Sequence, residues 1–176
     1  GAHQKVIERI HLATGVKHRN LAIPLEDYSK LTDFGVANDE FIRVGLELGV
    51  AAISGALSAA NIDASEVDMI MSTSVTGIAA PSLEARLVPM LGMREDVKRI
   101  PIFGLGCVAG AAGIARVHDY LVGHPDEVAV LLSVELCSLT LQRDDVSMPN
   151  IVASGLFGDG AAAVVMVGEN RAARMG

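Results

Sequence analysis

The chain has no tryptophan, two tyrosines and four phenylalanines, so aromatic residues make up only 3% of its 176 residues. It is also short of positive charge. Fourteen Lys and Arg stand against 21 Asp and Glu, for a net charge of −7. That balance argues against a protein that works by neutralising nucleic-acid phosphates. Cysteine is scarce too. Cys107 and Cys137 make no disulfide framework, so a reducing, cytoplasmic setting is the expectation. The longest apolar stretch, residues 49–60, is too short to span a bilayer. No signal-peptide pattern opens the chain. The five histidines, at 3, 11, 18, 118 and 124, show no ligand spacing with each other or with the cysteines. No metal site is expected.

What is present is small and apolar. The chain is 51% hydrophobic and carries 18 glycines. Its length allows one sizeable core. Residues 3–14 read as an amphipathic helix, with Val6, Ile10 and Ala13 on one face. Residues 20–37 show no period and read as loop with a short turn. Asn38 or Asp39 offers a cap for a helix running to Ala60, whose second half is apolar all round and is expected to be buried. Strands are expected at 67–73, 100–103, 127–134 and 161–167. Helices are expected from the Ser82 cap to Gly92, from Cys107 to Gly123 and over 150–157. Gly158-Asp159-Gly160 reads as a turn, and 135–148 as irregular. Helices alternating with fully apolar strands imply an α/β fold with a mainly parallel sheet covered on both faces.

The organising stretch is residues 98–113, KRIPIFGLGCVAGAAG. The run from Ile100 to Phe103 reads as a buried strand. It meets a Gly104-Leu105-Gly106 corner, then Cys107, then a helix of very small residues. A cysteine there sits at a helix N-terminus, where unpaired N–H groups favour negative charge and so the thiolate. The corner by itself is equally compatible with an inert, buried cysteine. A dinucleotide site fits less well. Gly104, Gly106 and Gly110 are spaced one residue too long for the fingerprint, and Glu135 as the ribose acid is loosely placed. His118 lies about three turns along the cysteine helix, too far to reach the sulfur.

The segment FGLGCVAGAAGIAR at 103–116 closely resembles the active-site segment of type III polyketide synthases, the chalcone-synthase-like enzymes. GLFGDGAAAVVMVG at 155–168, STSVTGIAAPSLEARL at 72–87 and VELCSLTLQ at 134–142 resemble the same family, nearer its bacterial branch than its plant one. The FGDGAAA motif alone is less specific, because β-ketoacyl carrier-protein synthase III enzymes carry a similar one.

The resemblance implies a thiolase-like fold, built from two βαβαβαββ halves. Residues 1–176 would be the N-terminal half-domain, without the opening of that half and without the C-terminal half. It also implies an acyltransferase in which Cys107 takes an acyl group from a CoA thioester. Decarboxylated malonyl-CoA then attacks the Cys107 thioester, and repeated extension and cyclisation give pyrone-, resorcinol- or naphthalene-type products. CoA thioesters are substrates, and no cofactor is implied. By the same resemblance Phe157 is the gatekeeper between a CoA tunnel and the cavity. Cys137, Thr140 and Thr76 line that cavity. Arg9 contacts CoA phosphates, with Lys5 one turn away. Without the resemblance, Phe157 and Cys137 read as core residues, and Arg9 and Lys5 as a solvated helix face. The family's histidine and asparagine, which activate the cysteine and hold the enolate, belong to the missing half. Ala80 stands where the plant enzymes carry a methionine that reaches across a homodimer. A half of this kind, alone, is expected to expose a large apolar face and to aggregate or be inactive. Two other readings stay open: a synthase III-like condensing enzyme, and a non-catalytic thiolase-fold assembly module.

Overall fold

The computed structural model describes residues 2–142 and 144–175. Helix α1 spans Ala2–Ala13 and α2 spans Phe34–Ala60. Strand β1 (Met69–Ser74), α3 (Leu83–Leu91), β2 (Lys98–Phe103), α4 (Ala109–Gly123) and β3 (Val128–Leu136) follow. The chain closes with α5 (Met148–Leu156), β4 (Asp159–Val167) and α6 (Glu169–Met175). The sheet order is β2-β1-β3-β4. β1 runs parallel to both β2 and β3, and β4 runs antiparallel to β3. The mainly parallel α/β sheet read from the sequence is present, and α2 precedes its first strand, β1.

Alternation along the strands divides the core in two. Ile70, Val128, Val130, Leu132 and Val134 face α2 and α3, where they meet Phe41, Ile53 and Leu87. Met69, Met71, Ala129 and Leu131 face α4, where they meet Val117 and Leu121. The two faces are therefore covered by α2 with α3 on one side and α4 on the other.

Several boundaries differ from the sequence expectation, each for a local reason. Helix α2 begins a turn earlier, because the Asp33 carboxylate caps it by accepting from the Val36 N–H at 3.1 Å. Its second half is not buried all round. Gly49, Ile53 and Leu57 are buried, four residues apart, while Ala51, Ser54, Gly55 and Ser58 are exposed. By length and composition α2 is apolar enough to cross a membrane, with a mean hydropathy of 1.5 over 18 residues, because the helix extends well beyond its uninterrupted apolar run. In this fold it packs along β3 and β4 as a core helix. The strand at Ile100–Phe103 is an edge strand and mostly exposed, since only its β1 side is paired. Glu135 and Leu136 extend β3, and Asp159 and Gly160 open β4 rather than forming a turn.

Candidate active site

Parallel pairing gathers chain ends. Ser74 lies opposite Phe103, and Thr73 lies opposite Ser133. The loops that leave β1, β2 and β3 therefore emerge together at the carboxyl end of the sheet, the usual place for a ligand in an open parallel sheet. Leu136 pairs with Asp159, so the start of β4 and the end of α5 join the same rim. Thr76, Cys107, Cys137, Thr140 and Phe157 all come from these segments.

The β2 loop turns on two glycines with positive φ, Gly104 at +93° and Gly106 at +58°. Residues with a Cβ rarely adopt that backbone, so the corner depends on glycine. Gly106–Val108 forms one 3-10 turn that runs straight into α4. Cys107 sits in that turn and is exposed. Among the described residues no side chain hydrogen-bonds its thiol. The sulfur is open to solvent just ahead of a 15-residue helix.

Cys137 is different. It is half-buried in the 3-10 turn Cys137–Thr140. Burial pushes its thiol pKa up, and the negative charges of Glu135 and Asp159 push it further. Thr140 donates its hydroxyl to the Cys137 carbonyl at 2.8 Å and closes that turn. Phe157 follows α5 and is 45% exposed, so it is not the core residue that its aromatic character alone suggests. Phe103, Leu105, Val108, Leu141 and Leu156, on or beside the same segments, are exposed as well.

Thr76 is tied on both sides. Its hydroxyl donates to Glu135 at 2.7 Å and accepts from the Leu136 N–H at 2.9 Å. A hydroxyl has one proton to give. Thr76 therefore offers a neighbouring ligand its shape and one lone pair, not a free donor. Glu135 also accepts from the Val75 N–H at 3.1 Å. This carboxylate, which the sequence suggested only as a ribose acid, is a tie between the ends of β1 and β3.

Arg9 and Lys5 lie exposed on α1, which packs against α5. The His11 ring and the Ser154 hydroxyl meet at 3.1 Å across that contact. Through α5 the helix bearing the two cations is coupled to the segment bearing Phe157. A cleft of about 360 Å³ lies between α1 and α5, lined by Ile7, Leu141, Asp145 and Ser154 among others. A second cleft of about 190 Å³ lies under the β1 loop, against Phe41, Ser72 and Ile102. Neither includes Cys107. The nucleophile candidate stands on an open apolar surface, as one wall of a site would. Among the described residues no cluster of three His, Cys, Asp or Glu side chains could hold a metal ion.

Asp159 carries no signal of its role in the sequence, because a GDG triplet reads as a turn, yet it opens β4. It is buried, and its carboxylate accepts from the Ala22 N–H at 2.6 Å, from the Ser138 N–H at 2.8 Å and from the Ser138 hydroxyl. It joins the N-terminal loop to the Cys137 turn.

Comparison with known proteins gives a consistent result. The family described as FAE1/Type III polyketide synthase-like protein matches residues 36–175. The chain is 60% identical over 168 residues to a 1,3,6,8-tetrahydroxynaphthalene synthase of Streptomyces peucetius subsp. caesius, covering 96% of this chain and 44% of the relative. It is 32% identical over 165 residues to a phloroglucinol synthase of Pseudomonas fluorescens, covering 94% of this chain and 47% of the relative. The crystal structure of 1,3,6,8-tetrahydroxynaphthalene synthase from Streptomyces coelicolor A3(2) superposes with a TM-score of 0.88 at 36% identity, over 93% of this chain and 47% of that one. The chain thus spans less than half the length of these relatives.

Proposed function

The chain belongs to the FAE1/type III polyketide synthase-like family, and on that premise we propose that it is the cysteine-bearing half of an acyltransferase that condenses an acyl-CoA starter with malonyl-CoA. The observation that carries this reading is the exposed Cys107 at the carboxyl end of the parallel strands, the end at which the segments bearing Thr76, Cys137, Thr140 and Phe157 also emerge. In the proposed reaction the Cys107 thiolate attacks the starter thioester. A sulfur–carbon bond forms and CoA leaves as its thiolate. Malonyl-CoA then loses CO₂. The resulting enolate attacks the Cys107 thioester, forms a carbon–carbon bond and releases the cysteine thiolate for another round.

Thr76, Cys137, Thr140 and Phe157 shape the cavity in this reading, and Arg9 with Lys5 attracts the CoA phosphates. The histidine that activates the thiolate and the asparagine that stabilises the enolate come from a second half of the polypeptide, residues 1–176 being the N-terminal half-domain of a homodimeric enzyme. The exposed Phe103, Leu105 and Val108 beside Cys107 in the chain support that division, since water would otherwise cover them. The 60% identity to a tetrahydroxynaphthalene synthase favours a cyclised polyhydroxy aromatic product.

The test is the intact mass of the full-length protein before and after incubation with acyl-CoA and malonyl-CoA, with product analysis. An acyl adduct lost in Cys107→Ala, together with malonyl-dependent aromatic products, supports the assignment. A full-length protein that gains no adduct and releases no CO₂ from malonyl-CoA refutes it.

A further inference from the structure

The loop between β1 and α3 carries Thr76 and is held in place from an unexpected side. Asn38, which the sequence offered as a helix cap, lies inside α2 and does not cap it. Its side-chain amide donates to the Ile78 carbonyl at 2.8 Å, and its side-chain oxygen accepts from the Ile78 N–H at 2.8 Å. One side chain thus satisfies both backbone groups of a residue 40 positions away. One turn along the same helix face, Phe41 lies directly beneath Gly77, where a Cβ would come within 2.1 Å of the ring. Ile78 itself is 56% exposed, so packing of its side chain does not fix it. The hydrogen bonds do.

We propose that Asn38 is a positioning residue for the substrate cavity: by clamping Ile78 it sets the path of the loop that presents Thr76. This rests on the condensing function proposed above. Glu135 and the Leu136 N–H hold the hydroxyl end of Thr76. They fix the side chain to β3 but not the backbone that follows it. Asn38 supplies the second point of attachment, from a helix embedded in the core. The two attachments thus hold the Thr76–Ile78 segment at both of its ends. A cavity that must fold a reactive chain into one cyclisation pattern depends on such walls, because a displacement of about 1 Å in a positioning element can cost roughly a hundredfold in rate.

The experiment uses the full-length protein with Asn38→Ala and Asn38→Asp. Hydrogen exchange reads the clamp and product analysis reads the cavity. In Asn38→Ala the Ile78 amide should exchange roughly tenfold faster, the scale of one lost hydrogen bond, while β1 amides stay protected. The main cyclised product should lose share to shorter or differently cyclised ones, with the KM for malonyl-CoA within about twofold of wild type, because no substrate contact is removed. Asn38→Asp keeps the acceptor for the Ile78 N–H but sets a carboxylate oxygen against the Ile78 carbonyl. It should shift the products with little change in that amide's exchange, and it carries the test should the alanine variant not fold. Unchanged product ratios in folded variants overturn the positioning role, and so does an unchanged Ile78 exchange rate in Asn38→Ala. Wild-type protein that never consumes malonyl-CoA overturns the condensing function and this role together, a result distinct from either of those.

Discussion

Replacing Asp159 by asparagine changes one carboxylate oxygen into an amide group and leaves the shape of the side chain intact. The consequence follows from its partners. One oxygen accepts from the Ser138 N–H, and the other from the Ala22 N–H and the Ser138 hydroxyl. In asparagine the remaining oxygen can keep Ser138 N–H. The new NH₂ then faces the Ala22 N–H, donor against donor. A hydroxyl can rotate to accept, and Ser138 has Tyr28 Oη at 2.5 Å to accommodate the change. A backbone N–H cannot rotate. The substitution therefore removes one charge-assisted bond and strands one partly buried donor, at a cost of about 2–3 kcal/mol. Asp159→Ala strands both backbone donors and should cost roughly 3–5 kcal/mol. For a full-length protein about twice as long as this chain, which covers 44% of its 60%-identical relative, Asp159→Asn should lower the melting temperature by about 2–4 °C. Thermal unfolding of the full-length protein followed by circular dichroism reads this directly. An asparagine variant melting within about 1 °C of wild type would show that the network contributes nothing and refute the reasoning. A second readout is independent of stability. The Asp159 charge helps push the Cys137 thiol up, so its removal should speed alkylation of Cys137 at fixed pH.

Two further outcomes are expected. Thr76→Val keeps the side-chain shape but leaves the Leu136 N–H without its acceptor and Glu135 without one donor. It should cost about 1–3 kcal/mol in urea unfolding, with Thr76→Ser restoring most of it, and a neutral valine variant would contradict the bonding described. Iodoacetamide near pH 8 should label exposed Cys107 at least about tenfold faster than Cys137, whose thiol is pushed up by burial and by Glu135 and Asp159. Peptide mapping that finds Cys137 labelled first would reverse that ranking. The same shift has a sign for stability. Above the ordinary thiol range the unfolded chain releases the Cys137 proton before the folded chain does, so stability from this group falls as pH rises there.

Much of the fold was legible from local pattern. Apolar runs gave the four strands, the small-residue helix after the Gly104–Gly106 corner is α4, and alternation of helices with buried strands gave a parallel sheet. These features are local because side-chain period and glycine backbone freedom act within a few residues. Boundaries were less legible. Asp33 rather than Asn38 caps α2, and both residue types make good caps, so sequence cannot choose between them. Exposure was misjudged at Ile100–Phe103 because an apolar run looks the same in a central strand and at an edge.

The sequence by itself determined the nucleophile candidate, the order of the main elements from α1 to β4 (but not α6) and the family, since each rests on residues adjacent in the chain. The tertiary structure alone decided which groups meet: Glu135 with Thr76, Asn38 with Ile78, Asp159 with Ala22 and Ser138. Those pairings join residues distant in sequence. They exist because parallel register and helix packing bring loop ends together, and a polar group drawn out of water there must find a partner wherever the fold supplies one.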